Sequence, residues 1–375
     1  MLLHGIFAPI TTPFYPDGHV YLKKLEHNVE RYSKTPVAGI VVLGSTGEAV
    51  MLSDEERRQV LKTAREACAP HKVLIAGTGA ESARETLALT EYAAELGYDA
   101  ALVRTPHFYR PQMQPANLLA FYRTVADRSP IPILIYSVPV FTKYDMPPEL
   151  VIELADHPNI VGIKESGGDA EKIRRMGEGT RHVKWSVTVT QTFDAVTTRM
   201  LKTERPESSD GNGELIPVTA LAGEKSGHLE TGVPAHTTGH VGTGATARPA
   251  EQGSAQLKTR QKEVGFQILA GSAQKLHSSL EAGAVGAVLA FASPAPTACY
   301  EIYAAWKEGD ADLSRLKQER ITAAATRVGS ELGIPALKYA CDLNGYYGGP
   351  PRLPLLPLTA ELKAEVERLM ADIRN

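Results

Sequence analysis

The stretch Phe266-Gln267-Ile268-Leu269-Ala270-Gly271-Ser272 decides how this chain is read. It is a short apolar run closed by a glycine and a serine, as expected of a strand buried on both faces. A helix-period segment, residues 273–282, follows it, and a second run, 285–292, leads into a further helix at 297–307. Upstream, six more strand-like runs (5–14, 39–46, 73–79, 100–105, 133–139 and 160–166) alternate with amphipathic segments at 21–33, 54–69, 83–96, 116–128 and 148–155. Interiors such as Gly39-Ile40-Val41-Val42 and Ile133-Leu134-Ile135 are apolar throughout, the mark of parallel strands covered by helices. With 266–272 as the seventh run and 285–292 as the eighth, the count favours a closed (β/α)8 TIM barrel over a doubly wound sheet. Helix starts agree with this: Ser53 precedes Asp54-Glu55-Glu56, and Pro147-Pro148 opens the helix at 148.

Between residues 182 and 264 the rhythm fails. Twenty-five of residues 201–260 are Gly, Pro, Ser or Thr, and none is aromatic, so this segment can bury little apolar surface. Residues 185–189 alternate like a strand, and 215–221 could form another. The expected organisation is a barrel from 1–181 and 265–308, an irregular, partly β lobe inserted at 182–264, and a C-terminal helical region at 309–375. That last region holds helices near 312–332, 336–343 and 359–373. An insertion between the sixth helix and seventh strand lies at the barrel's N-terminal face, away from the C-terminal face where such barrels carry their sites.

The 375 residues hold 40 Lys and Arg against 43 Asp and Glu, a net charge of −3, which argues against a nucleic-acid binder. No apolar run approaches the roughly 20 residues of a membrane span, and Met1–Gly5 does not begin a signal peptide pattern. Cys68, Cys299 and Cys341 are too scattered for a CxxC metal site or a disulfide framework. The expectation is a cytoplasmic protein with reduced thiols. There is no Gly-Lys-Ser/Thr loop and no GxSxG elbow, and Gly77-Thr78-Gly79 lacks the third glycine of a dinucleotide fingerprint. His236 and His240 sit four apart, but among Thr and Gly that will not hold a helix, so exposed loop histidines are the simpler reading than a metal site.

Chemistry in this architecture is sought at the C-terminal ends of strands. Lys164 follows Ile160-Val161-Gly162-Ile163 on a buried strand. Desolvation there disfavours the ammonium and makes the neutral amine available as a nucleophile, unless the head snorkels to water. Tyr136 ends the neighbouring strand and can relay protons or simply bond to backbone. Gly44-Ser45-Thr46-Gly47 offers two hydroxyls and backbone N–H groups, either a carboxylate seat or an ordinary capped turn.

Gly44-Ser45-Thr46-Gly47-Glu48, Tyr136-Ser137-Val138-Pro139 and Gly162-Ile163-Lys164-Glu165-Ser166, in that order and spacing, resemble the dihydrodipicolinate synthase/N-acetylneuraminate lyase family. The resemblance covers residues 1–181 and about 265–358. It implies a (β/α)8 barrel with C-terminal helices whose sixth-strand lysine forms a Schiff base with a 2-oxo acid, usually pyruvate, without metal or organic cofactor. By position that lysine is Lys164, the relay tyrosine is Tyr136, and Ser45, Thr46 and Gly47 hold the substrate carboxylate. Ser166, Gly271 and Ser272 would border the distal part of the substrate. A homo-oligomer, dimer or tetramer, is also implied.

Within the family, the stretches 129–132 with 136–139, 164–169, 266–273 and 345–350 are most similar to 4-hydroxy-2-oxoglutarate aldolase. Phe141 stands where dihydrodipicolinate synthases usually carry an arginine. A second relay tyrosine of the family, which in many members enters a neighbouring subunit's site, aligns with Phe108, and the adjacent Tyr109 could replace it. The expected function is thus a Schiff-base aldolase or lyase of 2-oxo acids. Dihydrodipicolinate synthase or another sugar-acid lyase or dehydratase is the alternative, and a non-catalytic barrel scaffold is the alternative of another class.

Overall fold

Eight parallel strands close on themselves in the computed structural model, which describes residues 1–203 and 257–373. In chain order the elements are β1 (Gly5–Pro9), α1 (Leu22–Ser33), β2 (Gly39–Val42), α2 (Asp54–Ala67), β3 (Val73–Gly77), α3 (Ala83–Leu96), β4 (Ala100–Arg104), α4 (Pro115–Arg128) and β5 (Ile133–Ser137). The short α5 (Pro139–Thr142), α6 (Pro148–Ala155), β6 (Ile160–Glu165), α7 (Ala170–Gly179), β7 (Trp185–Thr190) and α8 (Thr198–Thr203) follow. After β8 (Thr259–Val264) come β9 (Gln267–Ala270), α9 (Leu276–Glu281), β10 (Gly286–Val288), α10 (Pro296–Lys307), α11 (Ala311–Ala324), α12 (Ile334–Leu343) and α13 (Ala360–Met370). The barrel order is β1-β10-β9-β6-β5-β4-β3-β2, so the chain is the (β/α)8 barrel that its rhythm predicts. The chain divides into two compact units, residues 1–202 with 258–375, and residues 203–257. Everything below concerns the first.

Two apolar layers hold the barrel. Phe7, Val41, Ile75, Leu102, Leu134 and Val288 fill its interior. Alternate residues of the same strands, such as Ile6, Ile40, Leu74, Val103 and Ile135, pack outward against the helices. That alternation is why the strands read as continuously apolar. Ser53 caps α2, as its place before Asp54 predicts, and the Glu56 side chain completes a capping box with it.

The three cysteines are buried free thiols. Among the described residues no helix is long and apolar enough to cross a membrane.

Three expected boundaries change. The first strand leaves the barrel at Pro9, and Phe14 instead bridges Val20 across a turn at Gly18. The eighth stops at Val288, because residues 290–292 coil into a helical turn. The helix expected over 312–332 is α-helical only to Ala324 and continues as a π-helical turn, Ala325–Glu331. Thr322 and Thr326 donate back to the carbonyls four residues earlier, and Gln274 Nε2 donates to the Ala325 carbonyl. Each intrusion loosens the regular ladder.

The strand expected at 185–189 is β7, and its partner is β8, in an antiparallel pair from Trp185–Val264 to Thr190–Thr259. This described part of the insertion lies at the N-terminal ends of the barrel strands. Thr197 Oγ1 donates to the Pro70 carbonyl, and Arg199 pairs at 3.0 Å with the buried Asp99, just ahead of β4. Gln267 closes the floor nearby by holding the Leu3 N–H and the Met1 carbonyl. The strand expected at 215–221, and His236 and His240, lie outside the described residues.

Candidate active site

Lys164 owes its orientation to a β-bulge. Ile133 pairs with Ile160 but Leu134 pairs with Gly162, so Val161 is an extra residue on β6. Val161 faces the barrel interior, and after the bulge Gly162 and Lys164 take the inward positions while Ile163 packs outward. Lys164 is 5% exposed. Its register partner across β5 is Tyr136, and its Nζ lies 4.1 Å from the centroid of the Tyr136 ring. The Tyr136 hydroxyl is 3.2 Å from Ser45 Oγ. An amine, a phenol and a hydroxyl from three separate motifs thus form one line across the C-terminal end of the barrel.

The turn that presents Ser45 is unusually constrained. Residues Ser45–Gly47 make one helical turn, bracketed by Leu43 and Glu48 with φ of 61° and 53°. Left-handed backbone at two non-glycine residues is costly and persists only when its surroundings enforce it. On one side Thr12 Oγ1 donates to the Gly47 carbonyl at 2.7 Å. On another, a Cβ at Gly77 would lie 2.1 Å from the Leu43 carbonyl oxygen, so only glycine lets β3 approach.

Glu48 supplies the third restraint. Its carboxylate lies 2.5 Å from the Lys338 ammonium of α12, with both side chains fully buried. Its other oxygen accepts the Arg352 N–H. Burial pushes the Lys338 ammonium below its ordinary pKa, and Glu48 opposes the shift. Lys338 also donates to the Pro350 carbonyl at 2.8 Å.

The remaining expected residues divide. Thr46 is buried beside Ser45. Ser166, Gly271 and Ser272 come together where β6 and β9 end: Gly271 N–H donates to the Glu165 carbonyl, and a Cβ on Gly271 would lie 2.3 Å from Ser166 Oγ. Ser272 Oγ donates to Gln274 within its own loop. Glu165 braces this side, accepting the N–H groups of Gly167 and Gly168 at 2.9 Å each. Tyr109 is 67% exposed and sits edge-on against Phe108, itself 75% exposed.

A cavity of about 390 Å³ opens beside Ser45 and Tyr136 and runs towards Arg57, Glu81, Arg104 and His107. Those four charged or polar residues escaped the sequence reading. Arg104 carried a usable signal, because it ends the apolar run Ala100-Ala101-Leu102-Val103 as Lys164 ends its own. It pairs with Glu81 at 2.8 Å and sits in register with Tyr136. Burial alone would raise the Glu81 carboxyl. The N–H groups of Phe108 and His107 and the Arg104 guanidinium outweigh it and hold the group below the usual carboxylate range.

The sequence profile of the Dihydrodipicolinate synthetase family matches residues 2–203 and 246–373. The chain belongs to that family. A 4-hydroxy-tetrahydrodipicolinate synthase of Methanoculleus marisnigri is 40% identical over 188 residues, 50% of this chain and 64% of the relative. One from Stenotrophomonas maltophilia is 42% identical over 176 residues, 47% of this chain and 59% of its own length, so the matched part spans about three-fifths of such curated relatives. Another, from Acidiphilium cryptum, is 26% identical and aligns along 99% of both chains. Among solved structures, the dihydrodipicolinate synthase of Acinetobacter baumannii in complex with pyruvate matches with a TM-score of 0.73 at 24% identity, covering 99% of each chain. That of Thermotoga maritima matches with a TM-score of 0.71 at 22% identity, again over 99% of each. These likenesses confirm the fold, and the family membership agrees with the motifs around Lys164, Tyr136 and Ser45.

Proposed function

We propose that this chain is a Schiff-base-forming lyase of 2-oxo acids, with a 4-hydroxy-2-oxoglutarate-type aldol as substrate and pyruvate as product or donor. The observation that carries this reading is the alignment of the buried Lys164 amine, the Tyr136 ring at 4.1 Å and the Ser45 hydroxyl 3.2 Å beyond the phenol. The uncharged amine of Lys164 attacks the C2 ketone to give a carbinolamine, and loss of water leaves an iminium. The electrons of the C3–C4 bond then flow into that iminium, giving an enamine, while the C4 hydroxyl loses its proton and departs as an aldehyde. Protonation at C3 and hydrolysis release pyruvate and restore the lysine. Tyr136, in reach of both Ser45 and the amine, moves the protons of dehydration and cleavage. The Ser45–Thr46–Gly47 turn holds the C1 carboxylate and so fixes the ketone against Lys164.

Synthesis of 4-hydroxy-tetrahydrodipicolinate is the second reading, favoured by the names of the curated relatives. It uses the same pyruvate adduct with a different acceptor. Phe141 in place of the arginine that those synthases usually carry weighs against it. Tyr109 would act in the site of a second copy. The exposed apolar residues Val50, Phe108, Tyr109, Val140 and Phe141 support such an assembly.

Mass spectrometry after borohydride reduction with pyruvate separates the enzyme from a scaffold, since only a Schiff base leaves a covalent adduct. Steady-state assays with 4-hydroxy-2-oxoglutarate, with pyruvate plus aspartate semialdehyde, and with N-acetylneuraminate then separate the enzymes. The proposal expects turnover of the first.

A further inference from the structure

The barrel has a second cavity, of about 280 Å³, at the end opposite Lys164. Its walls come from the floor of the barrel (Leu2, His4, Gly5, Ala38), from His71 and Lys72 ahead of β3, from α10, and from Phe193 and Asp194 beyond β7. Tyr300, Tyr303 and Lys307 face it from α10, where spacings of three and four residues place them on one side of the helix. Aromatic rings stand on two of its walls, Phe193 beyond β7 and Tyr300 and Tyr303 on α10.

Its charges are out of balance. Lys307 on the wall and Lys262, which stands beside the cavity rather than in its wall, make no ion pair with any carboxylate among the described residues, and Lys72 spends its ammonium on the carbonyls of Thr35 and Val37 at 2.6 and 2.8 Å. Arg260 covers the Phe193 ring, 3.1 Å from its centroid, and donates to the Gln191 carbonyl. Lys262 lies 5.4 Å from the centroid of the same ring. The acid on the wall is Asp194, which accepts from Thr192 Oγ1 at 2.7 Å. Glu263 is occupied by Lys184, and Asp99 by Arg199. The cations act on one another: burial and then Lys262 and Lys307 push His4 down to about 4, and Lys262 is itself lowered by burial, Lys307 and Arg260. Asp194 is the one carboxylate on the wall, and it faces Lys72 and Tyr303. The cations exceed it, like charges in excess disfavour each other, and a bound anion lowers that cost.

We propose that this cavity is a binding site for a small organic carboxylate with a flat, unsaturated or aromatic body, separate from the barrel mouth. The carboxylate sits between Lys307 and Lys262 beside His4, and the body lies against Tyr300 and Tyr303. The space suits a single ring, at the small end of ligand cavities.

Isothermal titration calorimetry of the full chain with benzoate, benzamide and inorganic phosphate tests this. Benzoate should bind at least tenfold more tightly than benzamide, its neutral counterpart, and more tightly than phosphate. The K262Q/K307Q double variant should weaken benzoate about tenfold or more, while its melting temperature stays near that of the parent. Tyr303→Leu, which keeps an apolar wall, should weaken benzoate while leaving phosphate unchanged. Absence of benzoate binding at millimolar concentration would overturn the proposal. So would equal binding of benzamide, phosphate binding as tight as benzoate, or unchanged benzoate affinity in K262Q/K307Q, which would place the ligand at the mouth. None of these outcomes depends on whether Lys164 forms a Schiff base.

Discussion

The two ends of the barrel are built from the same strands but by different means. At the C-terminal end, single side chains project from strand ends into the mouth: Lys164, Tyr136 and Arg104 occupy one level across β6, β5 and β4. At the N-terminal end the walls are gathered from residues 2–5, two connections, one side of α10 and the described flanks of the insertion. The first arrangement resists drift, because the sheet register fixes where each group sits. The second follows whatever packs beneath the barrel, and its chemistry depends on an element foreign to the barrel rhythm. Under the proposed function the reaction uses the end where the sheet dictates geometry, and the proposed carboxylate site uses the end where it does not.

The sharpest way to break this contrast is at Lys164. Lys164→Ala should abolish borohydride trapping of pyruvate, and Lys164→Arg should too, because a guanidinium stays charged and cannot attack a ketone. A residual adduct in either variant, read by mass spectrometry, would remove Lys164 from the reaction. Next in size is Tyr136→Phe, which deletes one hydroxyl at almost constant volume. Turnover should fall about 10²–10⁴-fold, the usual scale for a positioned acid or base, with an unchanged melting temperature. A full rate would assign the proton transfers to another group.

At the opposite end the expected effect is on stability. His4 titrates at about 4 in the folded chain against 6.5 ordinarily. Between those values the unfolded chain takes up a proton that the folded chain refuses, so stability falls as pH drops from 6.5 towards 4. The full cost, on the order of 3 kcal/mol, is in place below pH 4. Urea unfolding at pH 7 and at pH 4 should show this loss reduced in His4→Gln, and equal losses in both proteins would show that His4 is not the group responsible. Tyr109→Phe should lower turnover if its hydroxyl serves a second copy's mouth, and an unchanged rate would exclude it. The smallest effect is expected when residues 204–256 are replaced by a short Gly/Ser linker that keeps β7, β8 and the Arg199–Asp99 pair. Closure entropy changes slowly with loop length, so pyruvate trapping should persist, and its loss in a folded variant would tie the inserted segment to the mouth.

What the sequence made legible follows the same division. The barrel could be read because buried parallel strands announce themselves as apolar runs, and Lys164, Tyr136 and Ser45 because each interrupts or ends such a run. The bulge at Val161 was invisible, since nothing in Ile160-Val161-Gly162-Ile163 says which residue is extra. Glu81 was missed, and His107 just past the fourth strand was not singled out, because a polar loop residue is unremarkable until Arg104 and His107 are seen to meet Glu81. The N-terminal cavity could not be read at all: its cations are spread from His4 to Lys307, and only packing brings them together. The π-helical turn after α11 was hidden for a related reason, since the side chain of Gln274 that takes the Ala325 carbonyl lies 51 positions away.

The buried contact between Glu48 and Lys338 has a consequence for the order in which the protein is made. The Ser45 turn follows β2, yet the ionic partner of its Glu48 is encoded 290 positions later, and Arg352 later still. Until α12 arrives, Glu48 is a carboxylate without its cation, and an unpaired charge at a buried position costs on the order of 3–5 kcal/mol. The early turn must therefore stay open to water, and its left-handed residues are free to relax. A nascent chain, or a product truncated before α12, can assemble most of the barrel and still lack a shaped mouth. The C-terminal helices thus complete the Ser45 turn: the barrel's C-terminal end takes its final shape only in a chain that includes α12.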